Sequence, residues 1–122
     1  MAVTGLDFVA LQVRDVEQSA TFYEKQLGLT RAPFAPPGAV VFTTTPIPFA
    51  VREPLPGVDL NEVPQPGVGV ALWLYCDAVV ALHESLVAAG VEVVHAPEPG
   101  PFGMTFTFLD PEGYAITVHD KG

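Results

Sequence analysis

Residues 6–28, LDFVALQVRDVEQSATFYEKQLG, and residues 68–90, VGVALWLYCDAVVALHESLVAAG, carry the same plan, and the pair decides the fold. In the first stretch Val9, Leu11 and Val13 alternate with Phe8, Ala10 and Gln12, the two-residue period of a strand with one buried face. Asp15 stands where a helix cap belongs, with Gln18 three residues on as in a capping box, and Val16, Ala20, Tyr23 and Leu27 fall on one helical stripe. Gly28 is placed to end that helix in a left-handed conformation.

Three short strands are expected next, over 29–35, 39–45 and 47–53, divided by Pro36, Pro37 and Gly38 and then by Pro46. The second half repeats the order. A strand over 68–76 leads to a helix capped by Asp77 and closed by Gly90, and VEVVHAP (91–97), MTFTFL (104–109) and YAITVHD (114–120) supply three strands. Asp15 to Gly28 and Asp77 to Gly90 span the same interval, so the chain reads as a tandem duplication of a βαβββ module. Module one covers 6–53 and module two 68–120; between them PLPGVDLNEVPQPG (54–67) holds four prolines and is expected to be a semi-rigid linker that favours neither helix nor strand. The whole chain, 1–122, is expected to form one domain.

The fold class is therefore α+β, with tandem modules forming a curled mixed sheet around a concave cup. Two helices suffice to cover one face of eight strands, so they belong on the outer face and the other face is left for a ligand.

Composition limits the partners. The chain carries 14 acids against 5 bases, a formal charge of −9, which opposes binding to nucleic acid or to an anionic membrane and would attract a cationic ligand. Simple solubility also accounts for such an excess. No apolar run is long enough to span a bilayer, and the start MAVTGLD has no signal-peptide character. A single cysteine, Cys76, forms no internal disulfide, consistent with a cytoplasmic location.

VALQVRDVEQSATFYEKQLGL (9–29), LYCDAVVALHESLVAAGVEVV (74–94) and PFGMTFTFLDPEGYAITV (101–118) together resemble the vicinal oxygen chelate superfamily of glyoxalases, extradiol dioxygenases and bleomycin resistance proteins. The resemblance implies paired βαβββ modules and a homodimer. In metal-dependent members it also implies a His, Gln or Glu on the first strand of each module and an acid on the last strand of the second. Carried over, those positions are Phe8, Ala71 and Thr117, with the fourth-strand position of module one near Ala50 or Arg52, so no metal set is expected. His83 reads as a surface helix residue and His95 as the end of a strand; His119 shares the face of Thr117.

The resemblance implies an offset of 63 between the modules, which pairs Ala10 with Trp73 and Gln12 with Tyr75 and turns both aromatics into the cup; an offset of 62, from the Asp and Gly punctuation, would bury Trp73 instead. The expected ligand contacts are Phe8, Gln12, Phe42, Arg52, Trp73, Tyr75, Phe102, Thr107, Thr117 and His119. Phe102 reads equally as a loop aromatic closing the core edge, and Arg52 as a partner of Glu53. Trp and Tyr faces stack on planar rings and attract cations. The sequence thus favours a protein that binds an aromatic, antibiotic-like molecule without cofactor, metal or catalytic residue. The alternatives are a glyoxalase- or dioxygenase-like metal enzyme with displaced ligands, a metal-free catalyst using His119, Tyr75 or Glu112, and a non-catalytic interaction module.

Overall fold

The computed structural model describes residues 1–121. It divides into two compact units, Met1–Glu62 and Val63–Gly122, with the boundary inside the proline-rich segment.

In the first unit, β1 (Val9–Gln12) is followed by α1 (Val16–Leu27), β2 (Ala39–Phe42) and β3 (Phe49–Arg52). β3 lies between its partners, parallel to β1 and antiparallel to β2. The helix is terminated as its sequence dictates. Asp15 accepts the Gln18 backbone N–H at 3.0 Å, and Gly28 takes φ +72° so that its own N–H reaches back to the Glu24 and Tyr23 carbonyls. Tyr23, fully buried, meets Phe42 and Phe49 edge-on or tilted at ring separations of 5.8 and 5.2 Å, which fixes α1 against one face of the sheet.

The strand expected over 29–35 is reduced to a single bridge, Arg31 with Phe42. Pro33, Pro36 and Pro37 offer no N–H to a ladder, so pairing cannot propagate past the Ala32 N–H. Arg31 is instead held by side-chain pairing to α1, with Nη2 2.6 Å from Glu17 and 2.8 Å from Glu24. The hydrogen bond and charge of Arg31 lower the Glu17 carboxyl below its ordinary range. A carboxyl lowered in the folded state contributes its stability above the unfolded value and loses it as the pH falls through the folded value, so this clamp weakens only in acid.

In the second unit, β4 (Leu72–Tyr75), α2 (Val79–Ala88), β5 (Val93–Gly100), β6 (Gly103–Leu109) and β7 (Ala115–His119) form a four-stranded sheet of order β4-β7-β6-β5, the pairing of β4 with β7 being parallel and the other two antiparallel. The α+β class and the repeated modules stand as expected. The ladders, however, stay within each module, so the strands are shared between two mixed sheets rather than joined in one. The linker also contains one 3-10 turn, Leu60–Glu62.

Phe106 and Phe108 are buried on the helix side, where His83 of α2 meets Phe106 edge-on at 5.3 Å. The turn before β7 is built by Asp110, 5% exposed, whose Oδ1 accepts the backbone N–H groups of Glu112 and Tyr114, each at 2.9 Å. β5 runs on through Pro97 and Pro99 to Gly100, so His95 sits inside the strand and not at its end. An edge strand tolerates proline because one side of it has no ladder to supply.

Asp77 does not cap α2. The cap is Ala78, which has no side-chain bond to give. Ala78 lies 63 residues after Asp15, and Leu72 opens β4 at the same distance after Val9 opens β1, so the first strands and the helix starts correspond at 63, whereas the left-handed Gly28 and Gly90 keep the 62-residue interval. Restoring the missing acceptor with Ala78→Ser is expected to raise stability by about 0.5–1 kcal/mol, read from the denaturant midpoint at constant slope.

Candidate functional site

Alternation along β4 determines what its sheet face presents. Leu72 and Leu74 are half-buried, whereas Trp73 and Tyr75 are exposed by 46% and 59%. The register places Trp73 beside Thr117 and Tyr75 beside His119 on β7, and sets Thr107 and Thr105 of β6 opposite the same two residues. The side opposite α2 therefore carries a hydroxyl floor with an aromatic edge.

Phe102, at the tip of the β5–β6 hairpin and 52% exposed, turns its ring edge-on to Trp73 at 5.3 Å. Its position is set by the hairpin: the Lys121 N–H donates to the Phe102 carbonyl at 3.2 Å, and Asp120 Oδ1 accepts the Met104 N–H at 2.8 Å. Gly103 makes this possible by adopting φ +81° where a Cβ would run into the Asp120 carboxylate. Gly103→Ala should cost about 1–3 kcal/mol and release the Phe102 ring, seen as a shift in Trp73 emission of the folded protein.

His119 lies against this cluster, with ring centroids 5.8 Å from Trp73 and 6.1 Å from Tyr75. Its Nδ1 is buried and has no hydrogen-bond partner, an arrangement that costs on the order of 1–3 kcal/mol. Thr107 and Thr117 bond to each other through their hydroxyls at 2.7 Å.

Six of the expected contacts, Trp73, Tyr75, Phe102, Thr107, Thr117 and His119, are thus gathered on one face of the second unit. The other four lie in the first. Gln12 and Arg52 are cross-strand neighbours on β1 and β3. Gln12 Oε1 accepts the Leu55 N–H at 2.9 Å, and Arg52 Nε donates to the Glu53 main-chain carbonyl at 2.9 Å, not to its carboxylate. Phe8 precedes β1 and is half exposed.

Phe42 is a correction. It stands directly opposite Phe49, on the face that Tyr23 covers, and is fully buried there. It belongs to the core and not to a binding surface. Sequence reasoning passed over the outer edge of the second sheet as well: His95 pairs with Thr107 and Glu98 with Thr105, extending the same face on β5.

The positions where metal-dependent relatives place ligands do not fit a divalent ion. Phe8 and Ala71 offer no donor, and the Thr117 hydroxyl is engaged by Thr107. Among the described residues no three His, Cys, Asp or Glu side chains converge on a point.

A chain of two β-α-β modules with the first and last strands of the second module paired in parallel, and an open sheet face opposite the helix, belongs to a defined class of folds. This chain belongs to the Glyoxalase/Bleomycin resistance protein/Dioxygenase superfamily, whose family model matches residues 5–118. It is similar to a protein of unknown function from Agrobacterium tumefaciens, at 26% identity and a TM-score of 0.77, covering 98% of this chain and 96% of that one. An antibiotic binding protein from a Streptomyces species has 23% identity and a TM-score of 0.77, over 100% of this chain and 99% of that one. A lactoylglutathione lyase from Agrobacterium tumefaciens has 20% identity and a TM-score of 0.71, over 98% and 96%. The last two likenesses establish the fold alone, since binder and enzyme share it. No curated protein matches the sequence. Among the described residues no helix is long and apolar enough to cross a membrane.

Proposed function

We propose that this protein is a metal-free binding protein that sequesters a planar aromatic, antibiotic-like small molecule on the open face of its second sheet. The observation that carries the reading is the exposed aromatic group of Trp73, Tyr75 and Phe102 around His119. Three large rings, each about half exposed and clustered, are the kind of apolar surface that proteins retain for a ligand. Trp73 and Phe102 supply flat contact area, and the Thr107–Thr117 pair supplies a polar floor. Sequestration needs no reacting group, and among the described residues no group of three His, Cys, Asp or Glu side chains is placed to hold a metal ion. The family resemblance adds the expectation of a homodimer, and the single cysteine that of a cytoplasmic location.

Trp73 is the only tryptophan, so its emission reports the site directly. Titration with a panel of planar aromatic drugs should quench or shift that emission saturably and raise the melting temperature, with no turnover of the bound compound. A panel that leaves both signals unmoved removes this function. The alternative, an enzyme with displaced metal ligands, requires stoichiometric Zn, Ni, Mn or Fe in purified protein, which elemental analysis decides.

A further inference from the structure

The open face of the second sheet is organised in two rows that cross all four strands. One runs His95, Thr107, Thr117, Trp73, and the next Glu98, Thr105, His119, Tyr75, each residue being the register partner of its neighbour. Both rows start at an ionisable side chain on β5 and end at an aromatic ring on β4. Three strand spacings separate the ends, roughly 14 Å.

His95 and Glu98 are exposed, and neither side chain has a hydrogen-bond or ion-pair partner among the described residues. The charge around them is one-sided. Residues 63–122 hold seven Asp or Glu against a single base, Lys121, whose Nζ is directed to the Pro101 carbonyl in the hairpin. A carboxylate with no ion-pair partner among the described residues, in a unit with this excess of negative charge, selects a positive group.

We infer that the face binds its ligand in one orientation, a planar aromatic ring against Trp73 and Tyr75 and a protonated amine at the far end against Glu98 and His95. The ligand class is accordingly an elongated amphiphilic cation with ring and ammonium about 10–14 Å apart, the length the rows span. This inference rests on the aromatic-binding reading above and adds to it a second subsite and a direction. The β5 subsite sets preference and the β4 rings set affinity, because an exposed ion pair contributes little beside the burial of a ring.

The test uses three naphthalene probes that share one flexible tail of about 10 Å and end in a primary amine, its acetamide or a carboxylate. Each is titrated against Trp73 emission above the histidine titration range and at low salt. The expected result is binding in the order amine, acetamide, carboxylate, with the amine preferred over the acetamide by about two- to fivefold. Glu98→Gln should remove that preference, whereas Glu84→Gln, on α2 and behind the opposite face of the sheet, should retain it. Equal binding of all three probes overturns the inference and leaves the aromatic-binding function intact. A preference lost equally in both variants overturns it too, since it then comes from the general field and not from β5. If no probe changes the emission, the binding function itself fails.

Discussion

Phe42→Ala is expected to cost about 3–5 kcal/mol of stability, the range for deleting a fully buried aromatic ring. The ring sits between Tyr23 of α1 and Phe49 of β3, at centroid separations of 5.8 and 5.1 Å. Removing it vacates a place where helix, central strand and edge strand meet in the first unit. Neither neighbour can fill that space, because each is already packed against the other. A chemical denaturation curve will show the loss as a lower midpoint. A cost under about 1 kcal/mol would mean that Phe42 lies at the surface after all.

Trp73→Ala should behave in the opposite way. The side chain is nearly half exposed, so stability should fall by less than for Phe42, about 1–3 kcal/mol. Affinity for a planar aromatic ligand should fall at least roughly tenfold, as for a large aromatic anchor at the centre of a contact. Emission is lost with the residue, so the measurement is calorimetric or uses the ligand's own absorbance. Trp73→Phe should restore part of the affinity, because a smaller ring still stacks. An alanine variant that binds as tightly as the parent would sink the assignment of the site to this face.

These paired expectations mark where the sequence was readable. The helix of the first module announced both its ends through Asp15 and Gly28, and the structure uses both. Trp73 was harder, since VALWLYC is apolar at every position and carries no alternation to orient it. The family resemblance oriented it: the 63-residue offset that the family pattern favours, against 62 from the Asp and Gly punctuation, makes Trp73 the counterpart of Ala10, and the structure bears that offset out at the start of both elements.

Phe42 had no such guide. AVVF is uniformly apolar, and its face depends on which residue of a distant strand it meets; only the pairing with Phe49 settles that. The outer edge of the second sheet was hidden for a different reason. β5 shifts register between Val93 and His95 and again between His95 and Glu98, which breaks the two-residue period that would have placed them on one face. The prolines at 97 and 99 reinforced the impression that the strand had ended. Local chemistry was therefore legible where a single residue acts alone, at caps and turns. It was not where position is set by a partner far along the chain.

The hydroxyl contact between Thr107 and Thr117 has a bearing on selectivity. Either oxygen can act as the donor, and the two arrangements interconvert by rotation of two light hydrogen atoms with no heavy atom moving. In one state the spare proton is on one strand, and in the other it is on the next. An arriving carbonyl and an arriving amino group can each be met by the same floor, reversed in polarity. Such a floor imposes little chemical veto of its own, so under the proposed function discrimination among ligands would fall to the aromatic rings and to Glu98 and His95 at the sheet edge.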